Sequence, residues 1–289
     1  MITRRLMNVS AFLLPAVLLL SALSARATLI HSFVAEDDSS GPNTTSTWHD
    51  LTGSNDWSFP TSGDMSITPV TGSNTTFAET YTATGSDAGA YANPMIANSD
   101  ATGSASIWFR QDVPSTGDDF EKTLFEDGGG PNGFTMLFRR NSNSLSLRVA
   151  GSSMSGEVSV PLDSFDLSDF VQATVTFDGS DATLYAYSAN DFSSLSNTTP
   201  NVVSGNLGGG NGAGLFNGGN DKGTVGGSND SGVNAAVFDG DIAAVFVHDD
   251  TLTAGEVESQ FNSQTIPEPG SLTLVSMFAF GVGLVLRRR

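Results

Sequence analysis

Cysteine is absent from this chain of 289 residues, which excludes a disulfide framework, thiolate metal sites and a cysteine nucleophile. Basic residues are scarce as well, since 12 lysines and arginines stand against 31 aspartates and glutamates. Half of the basic residues and none of the acidic ones lie in segments 1–27 and 287–289, so residues 28–286 carry a formal charge of −25. Such a surface repels nucleic acid and anionic lipid, and neither is an expected partner. It suits divalent cations and neutral or cationic glycans.

Long apolar runs are confined to the two ends of the chain. At the amino end, Arg4 and Arg5 precede the apolar run 11–20, and Ala25 and Ala27 place small residues at the −3 and −1 positions of a cleavage site. This is the pattern of a secretory signal peptide over residues 1–27, cleaved after Ala27 and exported by the Sec machinery. A retained amino-terminal anchor is the alternative.

At the carboxyl end, the mostly apolar run 272–286 would form a helix about 22 Å long, short against a hydrocarbon core of about 30 Å. Three arginines follow it, Arg287, Arg288 and Arg289, and guanidinium groups stay on the cytoplasmic side of a membrane. We therefore expect a transient transmembrane helix, with the body of the protein outside.

Within the tail 263–289, residues 266–289 resemble the PEP-CTERM sorting signal of Gram-negative bacteria. Pro267, Glu268 and Pro269 stand before the apolar run and the basic terminus, in the order found in that family. The resemblance implies recognition by a membrane exosortase and cleavage near the Pro-Glu-Pro motif, whose prolines hold the chain out of helix. It implies delivery to the cell surface or extracellular matrix.

Between the ends, alternation with a period of two predicts β-strands. In 171–177 apolar residues alternate with Gln and Thr, a turn follows at 178–181, and the strand pattern resumes at 183–187, which predicts a β-hairpin. Helical spacing occurs near 253–262, where Thr253 and Glu256 form a capping box. Similar strand runs occupy 105–110, 134–139, 144–150 and 242–247. The pattern predicts one all-β antiparallel β-sandwich over residues 28–262.

The order of these segments resembles the laminin-G-like, concanavalin A-like jelly roll. The segments that carry the resemblance are "ASIWFRQD" (105–112), "KTLFEDGGG" (122–130), "NGFTMLFRRNSNSLSLRVAG" (132–151) and "FDGDIAAVFVHDDTLTAGEVESQFN" (238–262). The segment 169–191 departs from that family at Phe170-Val171 and at 185–188. The resemblance implies that "LIHSFVAED" (29–37) is a first strand paired with the last one. The glycine-rich stretch 204–234 is predicted to be a long surface loop.

Glycoside hydrolases of concanavalin-like fold need two carboxyl groups across the scissile bond, and the chain lacks their Glu-x-Asp-x-x-Glu run. Other acidic residues stand next to each other in sequence, so they would point to opposite faces of a strand and are expected in turns. They are 36–38, 118–119 and Glu126-Asp127. His31, His49 and His248 show no catalytic or metal-ligand spacing, and structural roles are expected for them. We therefore predict that the chain is not an enzyme, with a glycoside hydrolase as the alternative.

Two ligand hypotheses follow from the polar loops and the aromatic residues. Related sandwiches often hold Ca²⁺ between rim loops, and Asp127, Asn229 and Asp230 are the best-placed oxygen donors; Asx-turns are the alternative use. Trp48 and Trp57 could stack on a sugar, although packing in the core is the expected use of tryptophan in a sandwich. The sequence thus predicts an adhesion or carbohydrate-binding module of the exopolysaccharide layer. A purely structural envelope protein without a ligand is the alternative.

Overall fold

The computed structural model describes most of the body of the chain, namely residues 27–35, 44, 47–52, 56–58, 65–71, 73, 75–83, 89–91, 102–111, 119–129, 132–141, 144–151, 156–189, 200–207, 223–227 and 236–264. The predicted signal helix with Ala25, the Pro-Glu-Pro motif, the predicted anchor helix and the terminal arginines lie outside these residues. Within them, no helix combines the length and apolar character that a membrane crossing requires.

The described strands form two sheets. Sheet A holds eight strands: β1 (Leu29–Val34), β4 (Met65–Pro69), β5 (Glu79–Ala83), β7 (Thr102–Arg110), β12 (Val171–Asp178), β13 (Asp181–Ser188), β14 (Asn201–Asn206) and β17 (Asp241–His248). Sheet B holds nine: β2 (Thr47–Trp48), β3 (Trp57–Ser58), β6 (Gly89–Tyr91), β8 (Phe120–Gly129), β9 (Asn132–Asn141), β10 (Ser144–Gly151), β11 (Glu157–Pro161), β15 (Thr224–Val225) and β16 (Ala236–Val237).

Strand pairing is antiparallel in both sheets, except that β16 runs parallel to β8. The order in sheet A is β14-β13-β12-β7-β17-β5-β4, and the order in sheet B is β11-β10-β9-β8-β15-β6-β3-β2. The segment 29–91 supplies strands to both sheets. The protein is therefore a β-sandwich, as the alternation predicts.

The period of two explains which side chains reach the core. In β7, Ala105, Ile107 and Phe109 belong to the main apolar cluster between the sheets, whereas Trp108 belongs to a second cluster. The predicted hairpin is confirmed: Val171 pairs with Ser188 and Asp178 with Asp181. Gly179 in its turn has φ of 64°, a left-handed conformation that glycine adopts without strain.

The second cluster lies between sheet A and the helix α1 (Ala254–Gln264). The predicted capping box is confirmed, since Thr253 Oγ1 accepts a hydrogen bond from the Glu256 N–H at 3.3 Å and Glu256 Oε2 accepts one from the Thr253 N–H at 2.9 Å. On the buried face of α1, the ring of Phe261 stacks on Trp108 at 5.5 Å and on Tyr187 at 4.8 Å. The helix thus covers part of the outer face of sheet A.

The last strand is the centre of sheet A. One edge of β17 pairs with β7, and the other edge is shared by β5 at its beginning and β1 along the rest. The predicted pairing of the first strand with the last is confirmed. Because β7 ends where β17 begins, Arg110 and Asp241 meet at one corner of the sandwich.

Two predictions about loops were wrong. Glu126 and Asp127 lie within β8, not in a turn, and both are 1% exposed. The stretch 204–234 is not a loop throughout, because it contains the end of β14 and the buried strand β15. In both places hydrogen bonding across the sheet overrode a local preference of glycine and aspartate for turns.

Candidate functional site

The corner where β7 ends and β17 begins forms a polar groove, which we call the rim groove. Its volume is about 530 Å³. It is lined by Thr82, Arg110, Gln111, Ser168, Asp239, Gly240 and Asp241.

A row of side chains across three strands forms one wall of the rim groove. Asp241 lies opposite Arg110 on β7 and opposite Thr82 on β5. Arg110 Nε donates a hydrogen bond to Asp241 Oδ2 at 2.8 Å, and Thr82 Oγ1 donates one to Asp241 Oδ1 at 2.5 Å. The guanidinium also lies 4.9 Å from the centroid of the Phe170 ring, which is fully buried. These contacts hold the arginine in one orientation.

The second carboxylate of the groove bridges to sheet B. Asp239 Oδ1 accepts hydrogen bonds from Gln111 Nε2 and from Lys122 Nζ on β8. The Asp239 side chain is 59% exposed, and among the described residues both hydrogen bonds that it accepts end on Oδ1. Each cation of this corner is matched by one carboxylate, Arg110 by Asp241 and Lys122 by Asp239.

Gly240 allows the two carboxylates to lie so close to the end of β7. A Cβ atom at this position would lie 2.5 Å from the carbonyl oxygen of Arg110 and 2.5 Å from the Phe238 ring. A larger residue would therefore push the start of β17 away from Arg110. The glycine of the Asp-Gly-Asp segment 239–241 thus allows the start of β17 to approach the end of β7 closely.

The groove retains unused hydrogen-bonding capacity. Within the described part of the chain, Arg110 donates only through Nε, so its Nη groups keep four N–H donors. Asp239 Oδ2 keeps its lone pairs as acceptors. A fixed planar donor group and an exposed acceptor in one groove can bind a ligand that offers adjacent hydroxyl groups.

Two further polar grooves occur among the described residues. One, about 430 Å³, lies at the opposite end of sheet A and includes Asp178, Asp181 and Asn206. The other, about 300 Å³, lies on sheet B beside Arg139. Arg139 and Arg148 form ion pairs there with Glu121 and Glu157 at 2.7–4.0 Å.

The predicted metal ligands are not brought together among the described residues. Asp127 lies inside β8, opposite Phe134, and Asn229 and Asp230 lie outside the described residues. No group of three or more histidine, aspartate or glutamate side chains arranged to hold an ion occurs in the described ranges. Calcium binding by Asp127 stays a prediction.

The two tryptophans are core residues. Trp48 and Trp57 are fully buried, and Trp57 stacks on Phe33 at 4.0 Å. Sugar stacking on either ring is therefore wrong for this fold, and the packing interpretation is confirmed. Their size and aromatic character favour the space between the sheets.

The three histidines occupy positions typical of structural residues. His31 Nδ1 lies 2.7 Å from Asp50 Oδ2 in the interior, and His49 Nδ1 lies 2.9 Å from Asp56 Oδ2 near the surface. His248 is buried at the end of β17, where desolvation lowers its pKa against the raising effect of Asp249 and Glu256. None of the three lines the rim groove.

Sequence reasoning missed the residues of the rim groove. The two aspartates spaced two apart in 239–241 are visible in the sequence, directly before a strand pattern. No nearby sequence pattern marks Arg110 and Gln111 as site residues, because they meet the aspartates only when β7 pairs with β17.

No family model and no curated protein matches the sequence. Among solved structures, domain 4 of AbnA, a GH43 extracellular arabinanase from Geobacillus stearothermophilus, was determined with arabinotriose. It is similar with a TM-score of 0.50 at 14% identity, over 80% of this chain and 97% of that chain.

Two larger proteins contain a similar fold. Trypanosoma rangeli sialidase in complex with sialic acid matches with a TM-score of 0.51 at 13% identity, over 81% of this chain and 32% of that chain. The enzymatically active domain of tailspike protein 2 from bacteriophage CBA120 matches with a TM-score of 0.51 at 11% identity, over 73% of this chain and 31% of that chain. The chain thus spans about a third of these two proteins. At this identity the likenesses establish the β-sandwich fold and nothing finer.

Proposed function

We propose that this chain is an exported, non-enzymatic carbohydrate-binding protein with a concanavalin A-like, laminin-G-like sandwich. Its ligand is a neutral polysaccharide of the cell-surface or matrix layer, bound in the rim groove. The observation that carries the proposal is the unused donor set of Arg110 beside the exposed carboxylate oxygen of Asp239. Adjacent sugar hydroxyls can accept hydrogen bonds from the first and donate one to the second.

Charge supports a neutral ligand. The cations of the groove are matched by carboxylates, so the groove offers no excess positive charge to an anionic sugar. Residues 28–286 as a whole carry a formal charge of −25, which repels polyanions over long range. Binding through hydrogen bonds in such a groove should depend little on salt concentration.

The structural neighbours support the ligand class. The arabinanase domain, which the match covers to 97%, was solved in complex with arabinotriose, a neutral sugar. The neighbours motivate the choice of carbohydrate over other polar ligands, and the rim groove supplies the residues.

The ends of the chain complete the proposal. The predicted signal peptide 1–27 directs export, and the tail 263–289 directs sorting through Pro267, Glu268 and Pro269 to an exosortase. Calcium at Asp127 belongs to the same proposal as an additional ligand. These features remain sequence-based, since they rest on the residue pattern at the two ends and on the oxygen donors Asp127, Asn229 and Asp230.

Binding to a panel of polysaccharides tests the function. The purified full chain is run in affinity gels containing neutral arabinan or glucan, or a uronate polymer, at low and high salt. We expect retardation by a neutral polymer, unaffected by salt. Arg110→Lys keeps the charge opposite Asp241 but loses the planar donor set, and we expect at least a tenfold loss of affinity. Asp239→Asn should weaken binding similarly.

Arg139→Lys, on sheet B, is the matched control and should bind like the unaltered chain. Loss of binding in this variant, with binding retained in Arg110→Lys, would move the site to sheet B. Failure of every polysaccharide would leave the purely structural envelope protein as the better interpretation.

A glycoside hydrolase is the second candidate, because Asp239 and Asp241 are two carboxylates in one groove. That chemistry needs one of the two to act as a proton donor, whereas both accept hydrogen bonds from cationic side chains here. Release of reducing ends from a bound polymer, abolished by Asp239→Asn, would establish the enzyme instead.

A further inference from the structure

The backbone of Thr28 is joined to Asp249 by two hydrogen bonds at the corner where β1 begins and β17 ends. The Thr28 N–H donates to Asp249 Oδ1 at 2.6 Å, and the Asp249 N–H donates to the Thr28 carbonyl at 3.0 Å. The next residues continue as the β1–β17 ladder, with Leu29 opposite His248. Thr28 is thus held to the end of β17 directly before β1 begins, and Asp249 is the residue that holds it.

Thr28 is also the residue that follows the predicted signal cleavage site. Hydrolysis of the Ala27–Thr28 peptide bond consumes one water molecule: its OH bonds to the Ala27 carbonyl carbon, the C–N bond breaks, and its remaining hydrogen goes to the Thr28 nitrogen, which becomes a primary amine. That amine takes up a proton from water, because an ordinary α-amino group has a pKa near 7.7–8.0. Cleavage after Ala27 therefore creates a positive charge on the nitrogen atom that already lies beside Asp249.

We propose that Asp249 is the receptor for the α-ammonium group of the mature chain, so that removal of the leader converts a hydrogen bond from an uncharged N–H to the Asp249 carboxylate into an ion pair. This inference rests on the export part of the proposed function. In an ion pair the attraction between two opposite charges adds to the hydrogen bond, and the contact is thus stronger in the mature protein than in the precursor.

The surroundings favour this contact. Asp250 accepts a hydrogen bond from the Thr251 N–H at 2.7 Å, so Asp249 is the aspartate that faces Thr28. His248 lies on the other side of Asp249 in sequence and is buried, and burial lowers its pKa and favours the neutral ring. The body of the chain has few cations, and both Asp249 and Glu256 lie near enough to His248 to act on its pKa, so the carboxylates of this corner face little competing positive charge.

The test begins with the full chain exported by a Gram-negative host. Mass spectrometry of the processed protein should give Thr28 as the first residue. The rate of acetylation of this amine is then followed from pH 6 to 10 by mass spectrometry of the amino-terminal peptide. We expect Asp249 to raise the pKa of the Thr28 amine by about one unit, which lowers the fraction of reactive, uncharged amine tenfold. Acetylation at pH 7 should therefore be about tenfold slower in the unaltered chain than in Asp249→Asn.

Asp239→Asn is the matched control, because it removes the same charge near the opposite end of β17 and should acetylate like the unaltered chain. The melting temperature gives a second measurement. Acetylation should lower it by about 1–3 °C more in the unaltered mature protein than in Asp249→Asn, because lysine side chains are acetylated in both and only the former loses the Thr28–Asp249 ion pair.

Equal acetylation rates in the unaltered chain and in Asp249→Asn would overturn the inference. A first residue other than Thr28 would overturn it as well, because the charge would then lie away from Asp249. Neither result would bear on the proposal of sugar binding in the rim groove, which the Arg110→Lys experiment tests separately.

Discussion

His31 Nδ1 lies 2.7 Å from Asp50 Oδ2 in the interior of the sandwich, and this contact joins β1 to the segment that follows β2. The other carboxylate oxygen of Asp50 accepts hydrogen bonds from the Ser32 N–H, the Thr52 N–H and the Thr52 hydroxyl at 2.9–3.1 Å. Burial by itself would raise the pKa of Asp50, but these hydrogen bonds outweigh it and hold the pKa below the ordinary value of 3.8.

The lowered pKa of Asp50 predicts that the free energy of unfolding decreases as the pH falls into the acid range. A carboxyl group whose pKa is lower in the folded state contributes stability above its unfolded pKa, and loses it as the pH falls through the folded pKa. Asp50→Asn should therefore lose stability at pH 7 and show a flatter decline below about pH 4. Chemical denaturation from pH 2 to 7 measures both effects. Asp178→Asn is the control for the change in net charge, because Asp178 is exposed at the β12–β13 turn. If the decline of the unfolding free energy below about pH 4 is flattened equally in Asp178→Asn, the prediction is contradicted.

Gly240→Ala should distort the rim groove, because its Cβ atom would meet the Arg110 carbonyl and the Phe238 ring at 2.5 Å. Overpacking of this kind typically costs about 1–3 kcal/mol of unfolding free energy. We also expect the variant to lose sugar binding, as the Asp241–Arg110 contact opens. Denaturant unfolding and affinity gels measure the two effects.

Gly255→Ala is the matched control for that substitution. Gly255 lies in α1, and apart from the helix backbone and the adjacent residues no atom comes within 4 Å of the place where an alanine Cβ would lie, so alanine should stabilise the protein by about 0.5–1 kcal/mol. Destabilisation by both alanines would indicate a general intolerance, not a close approach at Gly240.

Trp57→Ala should destabilise the protein strongly, but the molecules that remain folded should still bind sugar. Trp57 is fully buried, stacks on Phe33 and contacts Trp48 at 5.2 Å, and removal of a core tryptophan costs about 3–5 kcal/mol. Urea unfolding gives the cost, and affinity gels below the transition give the binding. Val202→Ala, at an exposed position of β14, should change neither. A specific loss of sugar affinity at unchanged stability would restore the stacking interpretation.

Calcium binding predicts a rise in melting temperature between chelator and millimolar Ca²⁺. A ligand that binds only the folded state stabilises it by about 2.7 kcal/mol at 100 times its Kd. The rise should disappear in Asp127→Asn and persist in Asp178→Asn. Identical melting curves with and without Ca²⁺ would contradict calcium binding.

Local patterns predicted much of the fold. The hairpin 171–188 was predictable because strict alternation and an Asp-Gly turn act within a few residues of each other. The helix after β17 was predictable because Thr253 and Glu256 satisfy each other's backbone across one turn. Asp127 was misplaced because the glycines beside it favour a turn locally, whereas pairing with Phe134 on β9 extends the strand.

The candidate site was much less predictable than the fold. Arg110 and Asp241 are separated by 131 residues, and Lys122 and Asp239 by 117. No periodicity connects such positions.

The sequence by itself determined the charge of the body and the alternation that makes a two-layer β protein, and it predicts export and sorting signals at its two ends. These properties are composition or short-range spacing, and they act before the chain is folded. The tertiary structure decided that Trp48 and Trp57 fill the core, that Asp127 lies inside a strand and that Arg110, Asp239 and Asp241 share one groove. Those outcomes depend on which distant strands pair, and strand pairing is fixed by the burial of whole faces of two sheets.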